Sequence, residues 1–101
     1  MPKVTITHNT GDAPVIAGNA QRTVLFIQNN SLLNVRYRLF AGVSLSDEAK
    51  AGLLLAAAPE AGNPGGSVIL TGALAQRPVY AIHAGTGADV VKLDVEGDAG
   101  L

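Results

Sequence analysis

The 101-residue sequence contains no cysteine and no tryptophan, two Phe and two Tyr, and only 15% charged residues. Without cysteine there is no disulfide staple and no thiolate zinc site, and nothing marks an oxidising or a reducing compartment. Four aromatic rings leave few platforms on which a sugar could stack. A formal net charge of −1 creates no field that would gather nucleic acid or an anionic membrane surface. No run is long and apolar enough to cross a bilayer as a helix. The opening Met-Pro-Lys-Val-Thr lacks the apolar core of a signal peptide, so the expectation is a protein made in the cytoplasm and not exported.

The shortage of charge needs an explanation. Soluble domains carry about 25% charged residues, and a small domain has proportionally more surface to solvate. Two readings stand: a neutral, alanine-rich surface, or a surface partly covered by other subunits. The length fits a single domain over residues 1–101, able to bury roughly two-thirds of its unfolded surface without metal or disulfide.

What is present is strand and turn grammar. Residues 91–96 alternate, Val91, Leu93 and Val95 on one face and Lys92, Asp94 and Glu96 on the other, the period of a half-buried strand. Residues 79–83 form another strand, and the glycines between the two predict a hairpin. Upstream, residues 4–8 alternate, and residues 13–17 predict a short edge strand with Pro14 near its start. Residues 22–28 are almost continuously apolar, which predicts a strand covered on both faces. Residues 34–40 alternate Val35, Tyr37 and Leu39 against Arg36, Arg38 and Phe40, and the Asn29-Asn30-Ser31 turn before them predicts a second hairpin. Ser46, Asp47 and Glu48 start a short helical turn over residues 46–51, followed by a strand over residues 53–57. Residues 59–66, with two prolines and three glycines, are loop; residues 67–70 are strand and residues 71–76 a linker. The expected fold is all-β, a small antiparallel β-sandwich or barrel of jelly-roll-like type with about seven or eight strands.

Chemistry is sparse. His8 and His83 have no partner at metal-ligand spacing, and each reads as a structural or exposed histidine. Ser31, Ser44, Ser46 and Ser67 sit in no nucleophile elbow. Asp89, Asp94, Glu96 and Asp98 formally allow a carboxylate pair, but Asp94 and Glu96 read as a solvated strand face. The glycine-rich stretches at 62–66 and 85–87 are followed by no phosphate-binding helix. No catalytic residue, metal or cofactor is expected. Phe26 and Tyr37 read as core, while Phe40 and Tyr80 are open. Arg36 and Arg38 share a strand face, and Arg22 joins them if the register allows. Such a basic patch suits the carboxylates of a partner subunit; the alternative is a solvated face paired with Asp94 and Glu96. The candidate contact residues are Arg22, Arg36, Arg38, Phe40 and Tyr80.

The order of features resembles small virion proteins of tailed bacteriophages, of the head-decoration or cement type. The resemblance is carried by Arg22-Thr-Val-Leu-Phe-Ile-Gln-Asn-Asn-Ser, then Asn34-Val-Arg-Tyr-Arg-Leu-Phe-Ala-Gly, an irregular stretch ending in a Gly/Pro loop, and finally Val79-Tyr-Ala-Ile-His-Ala-Gly-Thr-Gly-Ala-Asp-Val-Val-Lys-Leu-Asp-Val-Glu-Gly. It implies a jelly-roll-like sandwich, a homo-oligomer with a trimer favoured, and a seat on the major capsid protein outside a phage head. It implies localisation in the virion and no nucleic-acid or membrane partner. No catalytic residue carries over, because proteins of this type have none. The stretch 49–66 departs from the layout. A head-fibre, tail or connector component, a β-barrel binding a small ligand or carbohydrate, and lastly a small enzyme are the other readings of the same residues.

Overall fold

The computed structural model describes residues 3–6, 13–39, 52–85 and 89–99. Seven strands lie among them: β1 (Lys3–Ile6), β2 (Val24–Gln28), β3 (Val35–Arg38), β4 (Leu53–Leu55), β5 (Ser67–Thr71), β6 (Tyr80–His83) and β7 (Val91–Gly97). They form two antiparallel sheets, one in the order β1-β7-β2-β5 and one in the order β4-β3-β6. An isolated antiparallel bridge between Ile16 and Val79 extends the second sheet beyond β6.

The pairings nest. β1 pairs with β7, Ile16 with the residue entering β6, β2 with β5, and β3 with β4, and successive pairs alternate between the two sheets. The contacts β2·β7 and β3·β6 then join the pairs side by side. This is the strand order of a jelly roll, a long hairpin wound into two layers. The molecule is therefore an all-β, jelly-roll-like sandwich, open at its edges and not a closed barrel.

Side-chain alternation builds the core. Leu25, Ile27, Leu93 and Val95 point inward from the first sheet, and Val35, Tyr37, Leu55 and Ala81 point inward from the second. All belong to one buried cluster, so the layers pack face to face. Each fully buried Leu, Ile or Val contributes about 1.5–3 kcal/mol relative to exposure, which is how a chain without staples holds two small sheets together.

Both predicted hairpins are crossovers instead. Gln28 ends β2 in the first sheet and Val35 begins β3 in the second; β6 and β7 likewise lie in different sheets. The first crossover is held by Asn29, whose buried amide uses its full bonding capacity. Its Nδ2 donates to Leu33 O at 2.8 Å and to Leu55 O at 2.9 Å, while its Oδ1 accepts from Ser31 N at 3.1 Å and Ser31 Oγ at 2.6 Å. Those bonds fix the turn to β4 of the opposite sheet, so the chain cannot fold back along β2. The second crossover is held by buried His83. Gly85 N donates to its Nδ1 at 3.1 Å, which leaves the proton on Nε2 to donate to Asp89 O at 3.0 Å.

Other local expectations shift as well. The strand over residues 13–17 shrinks to the single Ile16 bridge. The linker over residues 71–76 contains a 3₁₀ turn, Gly72–Gln76, whose Ala75 is buried in the core. The helical turn expected over residues 46–51 lies outside the described residues. The loop over residues 59–66 carries no regular structure, and Gly65 is the point of closest approach. A Cβ there would stand 2.0 Å from Asn29 O and 2.7 Å from Ala56 O, both main-chain atoms.

Candidate interaction surfaces

Arg22 does not join Arg36 and Arg38. It precedes β2 in the first sheet and is fully buried. Its Nε donates to Ala75 O at 2.5 Å, and its Nη2 donates to Ala17 O at 3.3 Å and Arg77 O at 3.2 Å. The guanidinium thus ties the 3₁₀ turn to the segment leading from the Ile16 bridge. Burial lowers its pKa from the ordinary arginine value, and the negative charge of Asp98 opposes that shift. The expectation of a surface contact at Arg22 is corrected: a side chain bonded to three carbonyls of its own chain and shielded from solvent has no reach toward a partner.

Arg36 and Arg38 do share a face, the outer face of the second sheet. Arg36 sits between Leu54 and Ile82 in register, and Arg38 lies opposite Tyr80. Tyr80, 8% exposed, and Ile82 form a small buried cluster of their own on this outer side, so Tyr80 is not an open surface ring. Both arginines are half-buried, Arg36 Nη1 donates to Gly52 O at 3.5 Å, and Leu54 beside it is 49% exposed. Asp94 and Glu96 belong to the outer face of the other sheet, so they do not neutralise this patch. Phe40 lies outside the described residues.

The outer face of the first sheet divides into a polar half and an apolar half. On the polar half, Asp94 is nearly buried although its strand faces outward. Lys3 Nζ forms an ion pair with its Oδ1, and Asn30 Nδ2 donates to its Oδ2 at 2.5 Å. These bonds, Lys3 first, hold its carboxyl below the ordinary carboxylate range. Asn63 and Pro64 complete a shallow crevice of about 350 Å³ over Lys3, Gln28, Asn30 and Asp94. Asp94 is therefore a tie between strand and loop, and the expected solvated face holds only for Lys92 and Glu96. At the end of β7, Asp98 accepts from Thr23 Oγ1 at 2.5 Å and from the N–H groups of Thr23 at 2.9 Å and Val24 at 3.1 Å. The Thr23 hydroxyl, then the two N–H groups, hold its pKa down at about 2. Among the described residues no group of three or more His, Cys, Asp or Glu side chains could hold a metal ion.

The apolar half surrounds the β2–β5 pair. Phe26 stands opposite Ile69, and Val24 opposite Thr71. Gly72 N donates to Thr23 O, and Asn29 N donates to Gly66 O. Hydrogen-bonded pairs therefore fall at Leu25/Leu70 and Ile27/Val68, which makes Phe26/Ile69 a non-bonded pair with side chains at their closest. Ile69 is 63% exposed, Val24 39%, and Phe26 half-buried. The expectation that residues 22–28 are covered on both faces is thus corrected. The inner face is sealed, but no described segment covers the outer one. The continuous apolar run was the sequence signal for this surface; its pairing with Ile69 was not visible until β5 docked beside it.

Comparison of the chain with protein-family models, with curated proteins and with solved structures finds no match.

Proposed function

We propose that this chain is a structural interaction protein: a decoration or cement subunit that self-associates and binds the outside of a phage head. The observation that carries this reading is the apolar surface of Val24, Phe26 and Ile69, which no described segment covers, on the β2–β5 pair at one edge of the first sheet. An apolar strand face is stable in water only at a cost of about 25 cal/mol for each Å² left wet, and a covering subunit removes that cost. The same covering accounts for a chain that manages with 15% charged residues. The jelly-roll order is shared by shell proteins, lectins and metal-binding barrels, so it supports the reading without selecting it. On the opposite side of the sandwich, Arg36 stands opposite Leu54 with Arg38 next to it on the same face of β3, an arrangement suited to carboxylates beside an apolar contact on the shell.

The test is co-sedimentation of the purified protein with expanded shells assembled from the major capsid protein of its own phage, should its genome encode one. The expected result is saturable binding that falls at least about tenfold in affinity for Arg36→Glu combined with Arg38→Glu, two charge reversals at a desolvated contact. Absence of binding to expanded shells, with binding to tail or connector assemblies from the same genome, would replace decoration with a tail or connector role. No binding to either refutes a virion role.

A further inference from the structure

We infer that the first sheet continues through the free edge of β5 into a second copy of the chain, around a two-fold axis at Ile69. This does not depend on the virion reading. β5 is the outermost strand of its sheet. Because the bonds to β2 engage Gly66, Val68, Leu70 and Gly72, the N–H and C=O groups of Ser67, Ile69 and Thr71 point away from the sheet. None of them has a partner among the described residues.

Protein sheets ordinarily protect such an edge with lysine, proline or a bulge. β5 reads Ser-Val-Ile-Leu-Thr, with neither a charge nor a proline. The other edges differ: β1 carries Lys3, the Ile16 bridge follows Pro14, and β4 is only three residues long.

The three outward positions are symmetric about Ile69. In an antiparallel two-fold pair, Ile69 faces Ile69 of the second copy, and Ser67 faces its Thr71. Every free N–H then meets a free C=O. The face pattern is equally self-complementary. On the outer side the row runs Phe26, Ile69, then Ile69 and Phe26 of the second copy, so the apolar half of each sheet is joined to the other. On the inner side half-buried Val68 comes opposite Leu70 of the second copy. Among the described residues of this row, the charged side chain nearest the axis is Glu96, beyond Phe26. The product is a continuous sheet with four strands from each copy, an isologous dimer. It differs from the three-fold arrangement that the phage resemblance implies.

The test uses the full chain. Sedimentation velocity should show a dimer, and hydrogen exchange should show the amides of Ser67, Ile69 and Thr71 slowing by about tenfold or more as concentration rises through the dimer range. Val68 and Leu70, already bonded within the chain, should not change. Ile69→Lys and Ile69→Glu should each fold normally, because the side chain is exposed, and each should weaken association by about tenfold or more. Two-fold symmetry brings like charges face to face in either variant. An equimolar mixture of the two variants should restore a dimer. A chain that stays monomeric at high micromolar concentration overturns the proposal. So does an oligomer whose Ser67, Ile69 and Thr71 amides exchange freely, or a mixture that associates no better than its components. The last two outcomes would leave self-association, and with it the proposed function, intact on another face.

Discussion

Replacing Asn29 with alanine is the sharpest test of how this chain is routed. The amide makes one bond in a fully buried setting, to Leu55 O, and three in partly buried ones, to Leu33 O and to the N–H and hydroxyl of Ser31. Leaving a buried carbonyl without its donor costs about 1–3 kcal/mol, and each partly buried bond contributes about 0.5–1.5 kcal/mol. Because the partly buried groups can rebond to water, the expected loss for Asn29→Ala lies in the lower part of that sum, about 3–5 kcal/mol, set against a total of about 5–15 kcal/mol for a domain of this size. Urea denaturation followed by far-ultraviolet circular dichroism should give a lower midpoint at an unchanged slope, and Tm should fall by about 15–30 °C. The neighbouring Asn30→Ala is the control. Asn30 is exposed; its amide donates to the Asp94 carboxylate and accepts from Gly65 N at 3.3 Å, so its loss should cost about 1–2 kcal/mol. If the two variants are equally stable, or if Asn29→Ala lies within about 1 kcal/mol of wild type, the crossover is not held by this amide and the account of why β2 and β3 part is wrong.

Gly65→Ala should destabilise by about 2–4 kcal/mol in the same assay, because its Cβ would enter main-chain atoms of Asn29 and Ala56. Gly62→Ala, at φ +90° in open space, should cost only about 1 kcal/mol of backbone strain. For Asp98, the folded pKa of about 2 lies below the ordinary 3.8, so its contribution is complete above the ordinary value and is lost as pH falls through about 2. Asp98→Asn should therefore lower Tm at neutral pH, and the gap to wild type should narrow steadily in thermal melts taken from the ordinary carboxylate pKa downward; a gap independent of pH would refute the assignment. Arg22→Met keeps the aliphatic stem but strips the donors from Ala17, Ala75 and Arg77 carbonyls. It should cost about 2–4 kcal/mol in chemical denaturation while leaving sedimentation of the folded protein unchanged, whereas a surface role would show the reverse.

The candidate surfaces are partly legible in the sequence alone. Arg36 and Arg38 could be placed together because two residues on one strand share a face wherever that strand lies. Arg22 could not be placed, because two of the three carbonyls it meets, those of Ala75 and Arg77, lie 53 and 55 residues further along the chain. Asp94 kept the outward orientation its alternation dictates, yet it is nearly buried, because Lys3, Asn30 and the loop at residues 62–64 close over it. Ile69 looked like an ordinary strand residue until pairing with Phe26 made it the centre of an apolar surface.

Composition and period two determined that this chain folds as pleated layers without a disulfide, which residues form most strands, and which side of the cleanly alternating strands β3 and β7 faces inward. Those properties depend on neighbours one and two positions away, where sequence and geometry coincide. The choice of partner for each strand belonged to the tertiary structure. A polar turn between two alternating strands serves a hairpin or a crossover equally well, and tertiary bonds such as those from Asn29 to β4 and from His83 to the far side of its loop hold the chain to the opposite sheet. Strand pairing is a contact between segments far apart in the chain, and period two leaves that choice open.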